Sequence, residues 1–96
     1  MNTNDEVFAK IAEKIIAGQE SIIGPIAMEE AGMVEGLTID WNNKVITFSG
    51  DHTIIIEKLI EKYRDFFGQV SVEVCREATK KLISEIPKEE LPLLLK

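Results

Sequence analysis

The sequence predicts an α+β fold in which four main helices pack on one antiparallel β-hairpin, in the order α-α-β-β-α-α with a short C-terminal helical tail. Residues 37 to 48 alternate between apolar and polar side chains around a central pair of asparagines. Apolar residues recur at helical spacing on both sides of this run. All six glycines lie where a periodic segment ends or is interrupted. We expect residues 1 to 96 to form a single compact domain.

The hairpin is predicted from a two-residue turn at Asn42-Asn43. The register that follows pairs Trp41 with Lys44, Ile39 with Ile46 and Leu37 with Phe48. One face is then apolar, and the other face carries Thr38, Asp40, Val45 and Thr47. Because a two-stranded ribbon is marginally stable alone, we expect its apolar face to pack on helices.

The two edges of the hairpin lead to a prediction about self-association. A second copy could pair its hairpin across a two-fold axis and complete a four-stranded antiparallel sheet, which would cover one edge of each copy. We therefore expect a homodimer. The alternative is a monomer in which the polar face of the hairpin is solvated.

The first helix is predicted to begin at Thr3 or Asn4, because Thr3 and Glu6 form a capping box, and to end at Gly18. Its apolar stripe consists of Phe8, Ile11, Ala12, Ile15 and Ile16. The second regular helix is predicted to begin at Pro25, with the two preceding isoleucines forming a buried approach.

Asp51 is predicted to cap the third helix, the most clearly periodic of the four. Its apolar stripe comprises Ile55, Ile56, Leu59, Ile60, Tyr63, Phe66 and Phe67. After Gly68, residues 70 to 74 alternate as a strand would, but the spacing of Val70, Val74, Ala78 and Leu82 favours a fourth helix. Pro87 opens a short helical turn that Pro92 interrupts, and we expect the leucine-rich tail to be docked.

Charge and composition narrow the possible partners. The net charge is −6, and residues 1 to 40 carry eight acidic residues against Lys10 and Lys14. This negative potential repels phosphate backbones, so we expect no nucleic-acid binding, including by a helix-turn-helix at the third and fourth helices. No apolar run is long enough to span a membrane, and we expect no membrane association. One cysteine and the absence of a signal-peptide pattern favour the cytoplasm.

No arrangement of residues predicts a reaction, a cofactor or a metal site, so we name no catalytic residue and expect a non-enzyme. His52 is the only histidine and is predicted to be an exposed residue in the first turn of its helix, without other residues at metal-ligand spacing. Cys75 is predicted to be a small core residue. A thiol enzyme that uses Cys75 and His52 is the least favoured interpretation.

The best positive signal is a surplus of apolar residues over what the core requires, in Met28, Met33, Val34, Phe66, Phe67 and residues 91 to 95. We therefore interpret the chain as a small non-catalytic interaction or regulatory module that binds a protein partner or itself. The candidate interface residues are Asp40, Trp41 and Lys44 at the hairpin tip and Leu91, Leu93 and Leu94 in the tail. The alternative is a small-molecule sensor with a pocket between hairpin and helices lined by Phe48, Tyr63 and Phe67.

Overall fold

The computed structural model describes residues 3 to 96, with side chains described from residue 6 onward. It confirms the α+β fold and the predicted order of elements. The side chain of Thr3, and with it the predicted capping box, lies outside the described residues. The elements are α1 (Thr3–Ile23), α2 (Ile26–Gly32), β1 (Leu37–Asp40), β2 (Val45–Phe48), α3 (His52–Phe67), α4 (Gln69–Ile83) and two 3₁₀ turns (Lys88–Glu90 and Leu93–Leu95).

Helix α1 continues past Gly18, so the predicted stop at this residue is wrong. A Cβ at Gly18 would lie 3.4 Å from Val74 Cγ1 and 3.5 Å from Ala78 Cβ, so α1 and α4 pack closely here, although an alanine would also fit. A glycine within a helix costs only about 1 kcal/mol relative to alanine, so α1 can continue through it. The helix ends instead before Gly24, which has a φ of 73° and donates its N–H to the Glu20 carbonyl at 2.9 Å.

The second helix begins one residue later than predicted, because Pro25 is the N-cap of α2 and not its first residue. The two isoleucines before it are the last residues of α1 and do not form a buried approach. Ile22 is 59% exposed and Ile23 is partly buried.

The register of the hairpin is confirmed, with Leu37 opposite Phe48 and Ile39 opposite Ile46. The turn is longer than predicted, because the last strand pair is Asp40 with Val45 and residues 41 to 44 form the loop. Asn42 and Asn43 still occupy its centre, since the Lys44 N–H donates to the Trp41 carbonyl at 3.2 Å. The predicted assignment of side chains to the two faces of the hairpin is confirmed, because Leu37 and Ile46 are buried and the opposite face is exposed.

Asp51 caps α3 as predicted, and its Oδ1 accepts from the N–H groups of Thr53 (2.8 Å) and Ile54 (3.2 Å). The apolar stripe of α3 is buried only as far as Tyr63. Phe66 and Phe67 are 48% and 37% exposed, so their placement in the core stripe is wrong. They lie on the last turn of α3, where the chain reverses into α4.

Residues 69 to 83 form the predicted helix, α4, but its most buried face is not the one that carries the expected apolar stripe. Val70 is 63% exposed, and Val74, Ala78 and Leu82 are only partly buried. The buried positions are Ser71, Val72, Cys75 and Thr79. Three of these four side chains are polar or weakly polar, so apolar spacing alone pointed to the neighbouring face.

The tail is docked as expected, with Leu91, Pro92 and Leu95 buried. The core lies between α1 and the other elements, and no buried side-chain nitrogen or oxygen of the described residues lacks a hydrogen-bond partner. The largest fully enclosed apolar side chains are Phe8, Ile11, Ile15, Ile16, Ile56, Leu59, Ile60, Tyr63 and Val72.

Candidate functional site

Cys75 lies at the buried α1–α4 interface, which we define by Gly18, Gln19, Ser71, Cys75 and Thr79. Gln19 Nε2 donates to the Ser71 carbonyl at 3.0 Å and to Cys75 Sγ at 3.5 Å. Burial raises the pKa of the Cys75 thiol to about 12, and the Gln19 hydrogen bond only partly opposes this effect. The thiol is fully enclosed and protonated at neutral pH, which is the state of a structural cysteine.

His52 belongs to an aromatic cluster, so the prediction of an exposed first-turn residue is wrong. Its ring stacks on Phe8 with the centroids 3.9 Å apart and meets Phe48 edge-on at 6.2 Å. The reason is that α1 passes directly over the start of α3. The imidazole therefore helps to fix the relative position of α1, β2 and α3.

The hairpin tip brings the predicted interface residues Asp40, Trp41 and Lys44 together. Lys44 Nζ lies 3.4 Å from the centroid of the Trp41 ring, in a cation–π contact. Asp40 Oδ2 accepts from Asn43 Nδ2 at 2.8 Å. Both charged groups therefore already have contacts within the tip.

The predicted tail residues divide between the core and the surface. Leu91 is buried, Leu94 is partly buried and Leu93 is 71% exposed. Side chains of α3 and α4 hold the tail by its backbone: Arg76 Nε donates to the Leu94 carbonyl at 3.0 Å, and Glu57 Oε1 accepts from the Leu94 N–H at 3.1 Å. Only Leu93 of the three presents a large apolar surface to a partner.

The three residues predicted to line a ligand pocket do not come together. Phe48 lies near the first residue of α3 through its contact with His52. Tyr63 and Phe67 lie 11 and 15 residues further along α3, a separation of about 16 Å or more along the helix axis. Tyr63 is fully buried, and its hydroxyl donates to the Ala27 carbonyl at 2.6 Å. Burial, together with the nearby Cys75, Glu30 and Glu20, keeps the pKa of Tyr63 above the usual range.

A site that the sequence indicated only in part, through Phe66 and Phe67, lies where α3 turns into α4. Ile22, Phe66, Phe67 and Val70 are large, apolar and exposed there, and we call these four residues the α3–α4 corner. The rings of Phe66 and Phe67 stack on each other with their centroids 4.5 Å apart. The sequence signal was present, because Phe66 and Phe67 belong to the apolar residues that exceed the needs of the core.

Two sets of contacts show that Ile22 belongs to the same end of the molecule as the other three residues. Phe8 of α1 contacts His52 at the start of α3, so both helices begin at the same end. Gln19, one turn before Ile22, contacts Ser71, which directly follows Val70. The last turn of α1 therefore lies beside the first turn of α4.

The surroundings of the corner are acidic. Residues 20 to 30 and 62 to 76 carry five acidic side chains and three basic ones, a net charge of −2. Two of the basic side chains are ion-paired within this set: Arg64 lies 3.9 Å from Asp65, and Arg76 lies 3.9 Å from Glu73. Residues 80 to 96 at the tail carry four basic and three acidic side chains, and Leu93 lines the same groove as Glu57 and Glu61 of α3. Carboxylates are therefore present at both apolar surfaces, with the larger excess at the corner.

Within the described residues, no three side chains of histidine, cysteine, aspartate or glutamate come together in a way that could hold a metal ion. No helix in that same part of the chain has both the length and the apolar character that crossing a membrane requires. Comparisons with protein-family models, with curated proteins and with solved structures find no match.

Proposed function

We propose that this chain is a non-catalytic protein-interaction module and that the α3–α4 corner is its main binding surface. The observation that carries the proposal is the exposure of Phe66, Phe67 and Val70 together at one end of the molecule. Large aromatic side chains beside charge are typical anchors of protein interfaces. Exposed apolar clusters of this kind mark interaction sites more often than they serve the fold.

The backbone of the corner is held firmly, which suits a preformed binding surface. Gly68 alone connects the two helices and has a φ of 80°, a conformation that side-chain-bearing residues rarely adopt. Its N–H donates to the Arg64 carbonyl at 2.6 Å, and the Ser71 N–H donates to the Gly68 carbonyl at 3.1 Å. A fixed surface loses less conformational entropy on binding than a mobile one.

Photo-crosslinking in the native host tests the proposal. A photoreactive phenylalanine analogue replaces Phe67 in one version of the chain and Leu93 in a matched control, since both side chains are exposed. We expect irradiation to give defined protein adducts from position 67, and we expect the additional substitution Val70→Asp to abolish them. Absence of adducts at position 67, or adducts that survive Val70→Asp, would contradict the proposed surface.

Self-association through the hairpin is the second part of the proposal. Within the described residues the sheet has two strands, so each strand has one side without a strand neighbour. Val45 is 51% exposed on the outer face, beside Thr47. A four-stranded sheet across a two-fold axis would use this region and leave the corner accessible. Light scattering over a concentration series should give the mass of two chains, and Thr47→Lys, which places a charge on the exposed face of this strand, should reduce it to one.

A small-molecule sensor is the alternative, and the observation that favours it is a groove between the end of α4 and the tail. The groove has a volume of about 500 Å³, within the range of ligand sites, and is lined mainly by Ile83, Ile86, Leu91 and Leu95. A thermal-shift screen of small apolar compounds tests it. Stabilisation that rises with ligand concentration and disappears in Ile83→Trp would support this function.

A further inference from the structure

We infer that the partner segment bound at the α3–α4 corner is a basic amphipathic one, in which Lys or Arg side chains flank large apolar residues as they do on a cationic amphipathic helix. This inference rests on the proposed function and specifies the chemistry of the partner. It follows from two properties of the same surface, its exposed apolar side chains and the acidic groups around them.

The acidic groups lie on every element that forms the corner. Glu20 is on the last turn of α1, Asp65 is on the last turn of α3 next to Phe66, and Glu73 is one turn after Val70 in α4. The side chain of Asp65 is 77% exposed and that of Glu73 is 59% exposed. A partner that covers Phe66 and Val70 therefore places its flanking side chains beside carboxylates from several directions.

The cationic groups at the corner offset this negative charge only in part. Arg64 lies 3.9 Å from Asp65, and Arg76 NH1 lies 3.9 Å from Glu73, so these two carboxylates are already ion-paired. The remaining excess comes from Glu20 on α1 and from Glu29 and Glu30 on α2. At physiological ionic strength such exposed charges act over about 8 Å, a distance comparable with the size of the corner.

The same charges argue against a second copy of this chain as the occupant. An isologous contact between two corners would bring together two surfaces on which acidic side chains outnumber basic ones. Like charges across an interface cost free energy, whereas opposite charges raise the association rate and favour correct partners. The corner therefore suits a basic partner better than it suits self-association.

The test uses the intact chain and a fluorescently labelled 18-residue peptide of leucine and lysine, designed to place leucines on one helical face and lysines on the other. A peptide with serine in place of leucine reports the effect of charge alone. Fluorescence anisotropy measures both dissociation constants. We expect the leucine–lysine peptide to bind at least tenfold more tightly than the serine–lysine peptide, with an affinity that falls as salt rises.

Matched variants locate the binding. We expect Val70→Ser to weaken the leucine–lysine peptide at least tenfold, and Leu93→Ser, an equally exposed apolar residue at the tail, to leave it unchanged. Neutralising Asp65 with Asn should weaken binding by about threefold, consistent with one exposed charge contact. The same change in charge at the tail, Glu85→Gln, should have no effect.

Three results would overturn the inference. Equal losses in Val70→Ser and Leu93→Ser, or equal binding of the two peptides, would show that binding depends on net charge and not on the corner. Light scattering that shows a dimer abolished by Val70→Ser would identify a second copy as the occupant. That last result would leave the proposed function intact, whereas a lack of crosslinks from position 67 would remove the proposed function itself.

Discussion

The buried α1–α4 interface and the α3–α4 corner lie close together, yet they use opposite kinds of side chain. At the interface, polar groups are enclosed and have hydrogen-bond partners. Gln19, for example, donates to the Ser71 carbonyl and to the Cys75 sulfur. At the corner, large apolar groups such as Phe66 and Val70 are exposed. Folding alone accounts for the interface, because every buried polar group there has a partner. It accounts less well for the corner, where Phe66, Phe67 and Val70 keep 48%, 37% and 63% of their surface exposed.

The first way to test this contrast compares two valines on the same helix. Val72 is fully buried and Val70 is 63% exposed. Val72→Asp places an unpaired carboxylate in the core, and we expect a loss of more than about 4 kcal/mol in the free energy of unfolding. Val70→Asp should change stability by less than about 0.5 kcal/mol, since aspartate in the first turn of a helix is compatible with its dipole.

Urea denaturation followed by circular dichroism measures both variants. If Val70→Asp destabilised the chain as strongly as Val72→Asp, the corner would be part of the fold, and its role as a free binding surface would be lost.

The second test uses pH. Burial raises the pKa of Cys75 from 9.0 to about 12, so the folded chain holds this proton more tightly than the unfolded chain does. The stabilisation is therefore complete below about pH 9 and is lost as pH rises towards the folded value. We expect a loss of about 1.4 kcal/mol for each pH unit above 9 from this thiol. Tyr63 adds a loss in the same direction at higher pH.

Urea midpoints at several values between pH 7 and pH 10.5 measure this effect. Cys75→Ser keeps an acceptor for Gln19 but does not titrate, so its stability should fall less steeply. An identical pH dependence in the two proteins would mean that the thiol is accessible to solvent.

The third test concerns the close approach of α1 and α4 at Gly18. Gly18→Leu forces a large side chain against Val74 and Ala78, and we expect a destabilisation of about 1 to 3 kcal/mol. Gly18→Ala adds only a Cβ at ordinary contact distance and improves helix propensity, so it should be neutral or stabilising by up to about 1 kcal/mol. Thermal denaturation distinguishes them, and equal stabilities would mean that the helices are not in close contact.

The smallest expected effect is at the tail. Arg76→Ala removes hydrogen bonds to the carbonyls of Leu94 and Lys96, and we expect a loss of about 1 kcal/mol because the guanidinium is exposed. Amide hydrogen exchange should rise in residues 91 to 96 and stay unchanged at the corner. Faster exchange at both places would mean that the tail supports the corner.

The sequence predicted an element well where residues within that element form a recognisable pattern. The strand alternation and the asparagine pair fixed the register of Ile39 with Ile46, and Asp51 was recognisable as a cap. Gly18 was misread because its role depends on α4, which lies more than fifty residues later in the chain. The same reason explains His52, whose place under Phe8 follows from how helices pack and not from its neighbours.

The candidate site was only partly predictable. The excess of apolar residues, including Phe66 and Phe67, indicated an interaction surface, but the periodicity of α3 also assigned both rings to the core. Only the positions of α1 and α2 show that the buried stripe of α3 ends at Tyr63. The excess of acidic residues can be read from the sequence, whereas their positions relative to the corner depend on the fold.

The most direct test of the central claim is a titration of the isotope-labelled chain with the leucine–lysine peptide, followed by NMR of the backbone amides. The account predicts that the largest shifts come from Ile22 and residues 65 to 73, with the hairpin tip and the tail unchanged. Shifts spread over the acidic residues of the whole surface, or concentrated at Trp41 or Leu93, would contradict it.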